Sequence, residues 1–224
     1  MPSAAKSTAK RRVPLSRERV LRAAVALADK GGIEALTMAS LGRRLGVEAM
    51  SLYRHVRNKE DILDGIVDIV FSEIELPASK AQWKTGMRQR AISAREVLAR
   101  HSWAIGLMES LTRPGPANLR HHDAVLGILR GSGFSSAMAT RAYNLMNSFI
   151  YGFVLQEMSL PFATREEMAD VGKTMLPHMP SDEYPHLRQV AIDLVKSGFV
   201  YGNEFAVGLD LILDGIGRTI KARA

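Results

Sequence analysis

Apolar residues recur every three or four positions along most of the chain, which predicts an all-helical protein. No stretch alternates apolar and polar residues with the period of two that a half-buried strand requires. The pattern is divided into eleven predicted helices by glycines, by prolines and by the N-capping residues Ser16, Thr37, Asn58 and Ser135. The helices cover approximately residues 16–32, 37–46, 48–55, 58–76, 80–101, 102–111, 117–130, 135–159, 166–175, 187–197 and 204–222.

The second and third predicted helices are short and are separated by a turn at Gly46. Glycine permits the backbone conformation of a sharp bend. Two short helices across such a turn are typical of a helix-turn-helix, whose second helix enters the major groove of DNA. The side chains expected to contact DNA lie at the helix starts and on the outward face of the second helix: Thr37, Ala49, Met50, Ser51, Tyr53, Arg54, His55 and Lys59.

The chemistry of these residues suits double-stranded DNA. An apolar side chain such as Met50 can contact a thymine methyl group, and the Ser51 hydroxyl can hydrogen-bond to a base edge. Tyr53, Arg54 and His55 can reach phosphates or bases. Thr37 and Lys59 lie at helix N-termini, which favour phosphate because their N–H groups are free and the helix dipole is positive there.

Charge is distributed unevenly in a way that fits this interpretation. Residues 1–60 contain thirteen Lys and Arg against five Asp and Glu, a balance of +8, whereas the net charge of the whole chain is +7. The remainder is therefore close to neutral, at −1. A basic end on a neutral body is the electrostatic pattern expected of a protein that binds a polyanion.

Other features exclude several classes of function. The chain has no cysteine, which excludes disulfides and thiolate chemistry. No apolar run is long enough to cross a bilayer and no signal-peptide pattern opens the chain, so we expect a cytoplasmic protein without membrane contact. The histidines lack metal-ligand spacing, and the adjacent His121 and His122 must point to different sides of a helix. We therefore expect no metal, no cofactor and no enzymatic activity.

The helix-turn-helix region strongly resembles the TetR family of repressors. The resemblance covers roughly residues 16–76 and extends, less sharply, over most of residues 77–222, which are similar to the regulatory domain of tetracycline repressors. Its first part is carried by Thr37, Leu41, Leu45, Gly46, Val47, residues 51–56, Asn58, Lys59, Ile62 and Leu63. Its second part is carried by residues 112–114, Gly133, Phe134, residues 151–156, Phe205, residues 208–210, Ile212 and Leu213.

The resemblance implies a fold, a domain organisation and a mode of action. We expect a basic arm at 1–15, a three-helix DNA-binding domain with a linking fourth helix at 16–76, and a helical regulatory and dimerisation domain at 77–224. The protein is then a homodimer that binds a palindromic operator, most often as a repressor. In the family, a small effector in the body shifts the fourth helix, here residues 60–75, and removes the recognition helices from the spacing that DNA requires.

The residues that hold tetracycline in its repressors do not carry over. The histidine near the end of the fourth helix is replaced by Ile74 and Glu75, and the metal-ligating histidine by Glu109. A glutamine on the next helix becomes Val125, and a glutamate becomes Gln156. We therefore expect a different effector. Candidates for its pocket combine apolar area with a few polar groups: Trp103, Met108, Tyr143, Asn147, Tyr151 and Gln156.

The dimer interface implied by the family involves the helix at 135–159 and the last helix of each subunit. In the last helix, the expected interface residues are Phe205, Leu209, Ile212 and Ile216, with glycines between them that permit close packing. An ordinary intramolecular core is the alternative for this apolar stripe.

Three interpretations of function stay open at this point. The first is a ligand-responsive repressor, and the second is a DNA-binding protein controlled by no small effector. A cavity in the body favours the first, whereas a solidly packed body favours the second. The third, a helical enzyme with a basic head, lacks a recognisable arrangement of nucleophile and base.

Overall fold

The structure is a computed structural model that describes residues 14–78, 82–110 and 113–221. Within those residues it contains eleven α-helices and no β-strand, which confirms the all-α prediction. The helices are α1 (Arg17–Gly31), α2 (Met38–Leu45), α3 (Ala49–Leu52), α4 (Lys59–Glu73), α5 (Trp83–Arg100), α6 (Ile105–Met108), α7 (Pro116–Gly131), α8 (Ser136–Ser159), α9 (Arg165–Met175), α10 (Pro185–Ser197) and α11 (Glu204–Lys221).

The chain divides into two compact units between Val67 and Asp68. We call the N-terminal unit the head and the C-terminal unit the body. The boundary lies within α4, whereas the boundary expected from the sequence follows residue 76. Residues 1–13 of the expected arm, and Thr112 of the body motif, lie outside the described residues.

Four N-caps predicted from the sequence are confirmed. In each case the side-chain oxygen of the capping residue accepts a hydrogen bond from the backbone N–H three residues later, at N···O distances of 2.9–3.2 Å. The capping residues are Ser16, Thr37, Asn58 and Ser135. Such caps satisfy N–H groups that a helix start otherwise leaves unpaired, and each stabilises its helix by about 1 kcal/mol.

Two predicted helices are shorter than expected. The recognition helix was expected over 48–55, but α3 ends at Leu52, and the chain turns as His55 N–H donates to the Leu52 carbonyl at 2.8 Å. Glu48 makes no side-chain capping bond at its start. Similarly, among the described residues of the predicted 102–111 helix, only Ile105–Met108 are α-helical, and Ser102–Ala104 form a tighter 3₁₀ turn.

The head is held together by apolar side chains from all four of its helices. These side chains are buried: Val20, Ala24, Ala28, Leu36, Leu41, Leu52, Val56, Ile62 and Ile66. Gly65 brings α4 close to α1, because a Cβ built at this position meets the Leu21 side chain at 2.7 Å. The head is therefore a small packed unit that depends on close helix contact.

The body is a bundle in which α5, α7, α8 and α11 form the core. The fully buried apolar residues of the body include Met87, Leu98, Val125, Leu129, Phe134, Met146, Ile150, Val154, Leu209 and Leu213. On its surface, α9 packs against α10 where Gly172 approaches Val195. None of the helices within the described residues has the length and apolar character needed to cross a membrane.

Candidate nucleic-acid interface and ligand cavity

The turn between α2 and α3 depends on two glycines. Gly46 has φ of 69°, in the left-handed region that favours glycine. Gly42 lies where the chain comes back on α2, and a Cβ built there meets the Val47 carbonyl oxygen at 2.8 Å. The Val47 N–H in turn donates to the Gly42 carbonyl at 2.9 Å. Together these glycines set the tight angle between the two helices.

The short α3 is anchored in the head core by Leu52 and leaves Met50 open to solvent. The Leu52 side chain is fully buried, and Val56 after the helix is also buried. By contrast, the Met50 side chain is 73% exposed. Of the eight predicted DNA-contacting residues, Thr37, Met50, Tyr53, Arg54 and Lys59 are exposed, and Ala49, Ser51 and His55 are half-buried. Every one of them keeps surface that a ligand can reach.

An ion-pair cluster missed by the sequence reasoning fixes the start of α4 in the head. The Asp61 carboxylate accepts hydrogen bonds from the Arg17 guanidinium at 2.8 and 3.0 Å and from the Arg57 backbone N–H at 2.9 Å. The Arg17 hydrogen bonds, with those of Arg57, outweigh burial and lower the pKa of Asp61 to about 2. The carboxylate therefore stays ionised and ties α1 to α4 beside Lys59.

The body contains a cavity of about 710 Å³, within the size range of small-molecule sites. Four of the six predicted effector residues line it: Met108, Tyr143, Asn147 and Tyr151. The last three follow one another at intervals of four on α8 and so lie on one face of that helix. The other lining residues were not predicted: Phe71, Glu109, His122, Leu126, Thr140, Asn144 and Ser148.

The other two predicted effector residues do not line this cavity. The Trp103 ring lies 6.1 Å from the His101 ring, measured between ring centres. The Gln156 side chain accepts a hydrogen bond from the Tyr201 hydroxyl. Helical spacing could have found Thr140, Asn144 and Ser148, which flank the predicted face of α8, but it could not show that Phe71 and His122 meet them.

The C-terminal half of α4, which belongs to the body, lines part of the cavity and is held in place by polar contacts. Phe71 supplies part of the wall. Asp68 accepts a hydrogen bond from the Asn118 backbone N–H at the start of α7, at 2.9 Å. Glu73 pairs with Arg100 at 2.8 Å and with the His101 ring at 3.2 Å. A molecule that fills the cavity therefore contacts the C-terminal half of α4.

The predicted dimer residues of α11 are mostly internal to a single chain. Phe205, Leu209 and Ile216 are buried within the body, and Ile212 is half-buried. Among the described residues, the large apolar side chains that α11 exposes are Val207 and Leu211, and those of α8 are Leu145, Leu155 and Met158. An interface on these two helices would therefore depend largely on residues that the sequence reasoning did not select.

Metal-binding side chains are not grouped in the described residues, where no three His, Asp or Glu side chains come together as a metal site requires. His121 and His122 point apart as expected, with His121 hydrogen-bonded to Arg90 and His122 to Tyr143.

Both units of the chain match models of known protein families. Residues 76–220 match the family model described as the tetracyclin repressor-like C-terminal domain, and residues 20–66 match that of the bacterial regulatory proteins of the tetR family. An HTH-type transcriptional regulator of Saccharopolyspora erythraea is 34% identical over 144 residues, which are 64% of this chain and 61% of that protein. This chain thus spans about three fifths of that relative.

Two further proteins are similar over more of their length. The HTH-type transcriptional repressor DrrR1 of Streptomyces coeruleorubidus is 28% identical over 211 residues, covering 90% of this chain and 77% of that protein. Among solved structures, the Streptomyces coelicolor TetR family protein ActR in complex with actinorhodin has a TM-score of 0.76 at 25% identity. That match covers 93% of this chain and 99% of ActR.

Proposed function

Because this chain belongs to the TetR family of transcriptional regulators, we propose that it is a homodimeric repressor released from palindromic operator DNA by a small effector other than tetracycline. Such a protein acts in the cytoplasm, where bacterial DNA lies. The observation that carries this proposal is the exposure of Met50 on the recognition helix and of Tyr53 just after it, while Leu52 anchors that helix in the head core.

The head supports sequence-specific binding through two kinds of contact. Thr37 and Lys59 lie at the starts of α2 and α4, where they and the helix N–H groups suit phosphate. Met50 and Ser51 lie in the first turn of α3, from which side chains of a helix-turn-helix reach base edges. Phosphate contacts position the head, and base contacts specify the sequence.

The cavity supports control by a small molecule rather than the interpretation without an effector. Its aromatic side chains and its several polar groups offer a small molecule both apolar area and hydrogen-bonding partners, and the similar protein ActR binds actinorhodin in its crystal structure. Since α4 supplies Phe71 to the wall, an effector that fits a shifted α4 better than the DNA-bound position will favour release. Operator DNA must then weaken effector binding by the same factor.

Tetracycline is disfavoured as the effector by the residues that occupy the tetracycline-binding positions of its repressors. Val125 is fully buried, and Gln156 binds Tyr201 outside the cavity. At position 75, this chain has the carboxylate of Glu75 instead of an imidazole. The Glu75 backbone N–H donates a hydrogen bond to the Ser93 hydroxyl. Glu109 lines the cavity but is also a carboxylate.

The first test is selection of DNA from a random duplex pool by the purified full-length protein. We expect enrichment of a palindrome whose half-sites are about one helical turn, or about 34–36 Å, apart. Salt-sensitive binding without an enriched sequence would instead identify an architectural DNA-binding protein. A sequence found in this way then serves as the probe for compounds that release the protein.

A further inference from the structure

A buried arginine lies directly behind the wall of the body cavity. Arg90 on α5 is only 1% exposed. Its guanidinium donates to the Asn147 Oδ1 at 2.7 Å and to His121 Nε2 at 3.2 Å, and it lies 5.5 Å from the centre of the Tyr143 ring. Because Asn147 and Tyr143 line the cavity, only one layer of side chains separates this charge from the cavity.

The Arg90 charge has no anionic partner in the described parts of the chain. None of its hydrogen bonds there is to a carboxylate, and its Nη1 makes no hydrogen bond. Burial lowers its pKa, but a guanidinium stays protonated in proteins. A buried and uncompensated cation is strongly unfavourable. Such a charge therefore calls for a compensating anion.

Its neighbours are donors or neutral groups and do not compensate the charge. Burial, with the nearby Arg90 and His122, lowers the pKa of His121 to about 3, so the imidazole is neutral. Since His121 Nε2 accepts from Arg90, its proton is on Nδ1, which has no hydrogen-bond partner in the described residues. With its Oδ1 bound to Arg90, the Asn147 amide offers only N–H donors to other partners.

We propose that the effector cavity selects an aromatic acid whose anionic group binds beside Asn147 and is stabilised by Arg90. This inference rests on the proposal that the cavity holds the effector, and it specifies the chemical class. The aromatic side chains Phe71, Tyr143 and Tyr151 line the space for a planar ring system. Glu109 is the carboxylate among the described lining residues. Its charge adds to the burial that raises the pKa of Tyr143 and Tyr151, but it is exposed, so solvent weakens its repulsion of an anion.

The test compares 2-anthracenecarboxylate with 2-anthracenecarboxamide, which share a ring system and differ in charge. Binding of each to the full-length protein is measured by isothermal titration calorimetry. We expect the carboxylate to bind at least tenfold more tightly than the amide. Equal affinities, or no binding of either compound at millimolar concentration, would overturn the inference and leave the DNA-binding proposal standing.

Two variants test whether Asn147 and the Arg90 behind it set the selectivity. Asn147→Asp places a carboxylate on the guanidinium with almost no change in shape, so we expect the preference for the acid over the amide to fall to about one. Gln156→Glu is the matched control, because it makes the same amide-to-carboxylate change on the same helix, outside the cavity. It should keep the tenfold preference.

Thermal melting followed by circular dichroism checks that both variants are folded. A preference that survives in a folded Asn147→Asp would show that Arg90 does not select the anion. Loss of operator selection by the wild type, with the acid preference retained, would count against the repressor proposal alone. The two failures are therefore distinguishable.

Discussion

The Tyr143 hydroxyl lies 2.7 Å from Nε2 of His122, and this contact begins a polar chain from the cavity to α4. The His122 Nδ1 lies 3.0 Å from the Asn118 carbonyl oxygen. Since a carbonyl only accepts, Nδ1 donates, and in the neutral imidazole Nε2 accepts the Tyr143 proton. The Asn118 N–H then donates to Asp68 on α4. A change at the cavity wall can thus reach α4 through hydrogen bonds as well as through Phe71.

We expect Tyr143→Phe and Asp68→Asn to be energetically coupled, although these residues do not touch. Tyr143→Phe removes the hydroxyl at one end of the chain, and Asp68→Asn weakens the other end because a neutral amide oxygen replaces the charged acceptor of the Asn118 N–H. Each should destabilise the protein by about 1–3 kcal/mol. Residues in one hydrogen-bond network typically show interaction energies of about 0.5–3 kcal/mol in a double-mutant cycle. Urea unfolding of the wild type, both single variants and the double variant measures this energy.

The control cycle pairs Tyr143→Phe with Asp170→Asn. Asp170 lies on α9, where it pairs with the exposed Lys173. These two effects should add, since the residues share no partner. If the cycle with Asp68 is also additive, the chain of hydrogen bonds carries no coupling between the cavity and α4.

Acid should remove the contribution of Asp61 to stability. Its pKa of about 2 in the folded head lies below the value of about 3.9 expected in the unfolded chain. The ionised form is therefore favoured by folding. This stabilisation is complete above about pH 5 and is lost as the pH falls through about 2. We expect Asp61→Asn to cost about 1–2 kcal/mol at pH 7 and progressively less below pH 4.

Urea unfolding of the full chain at pH 7, 5, 4 and 3 measures this difference. Asp193→Asn makes the same change on the exposed surface of α10, and its effect at pH 7 should stay within about 0.5 kcal/mol. A constant cost of Asp61→Asn from pH 7 to pH 3 would mean that Arg17 does not hold the carboxylate in its ionised form.

Local patterns predicted the helices well because caps, glycines and apolar spacing act within a few residues of the chain. Thr37 and Asn58 cap their helices as predicted. The face formed by Tyr143, Asn147 and Tyr151 also followed from spacing on one helix. What the sequence could not show is which helices meet. The contacts of Arg90 with Asn147, and of Arg17 with Asp61, join residues 57 and 44 positions apart.

Weakened phosphate contact should flatten the salt dependence of DNA binding. Lys59 and Tyr53 are exposed at the start of α4 and just after α3. We expect the double variant Tyr53→Phe, Lys59→Ala to bind all duplexes more weakly. The slope of log affinity against log salt concentration should become shallower by about 0.9 for each charged contact that is lost. Fluorescence anisotropy at several salt concentrations measures that slope.

Lys196→Ala removes the same charge from the exposed surface of α10 and is the control for net charge. Its slope should match that of the wild type. If the double variant keeps the wild-type slope, Lys59 and Tyr53 do not contact phosphate.

Met50 should instead affect which sequences are preferred. Because its side chain is exposed in the first turn of α3, Met50→Ala removes an apolar contact of the kind that reads thymine methyl groups. We expect loss of affinity for the selected operator by about 1–3 kcal/mol, with random duplex affinity unchanged. Parallel anisotropy titrations with both duplexes measure the two losses, and equal losses would reject a base-reading role.

Dimerisation is best tested at Leu211 rather than at the residues predicted from the apolar stripe. Ile216 is buried in the body, so a charge there would damage the core of a single chain. Leu211 on α11 is 67% exposed, and a charge there leaves the core intact. If α8 and α11 form the interface, Leu211→Glu buries an unpaired carboxylate between subunits. We expect the dimer to weaken at least tenfold, or about 1.4 kcal/mol.

Sedimentation velocity over a range of protein concentrations measures this shift towards monomer. Val190→Glu places the same charge on α10, on another exposed apolar side chain, and should leave the dimer unchanged. Because a palindromic operator requires two recognition helices at a fixed separation, operator affinity should fall together with dimerisation in Leu211→Glu. A folded Leu211→Glu variant that stays dimeric would exclude this surface of α11 from the interface.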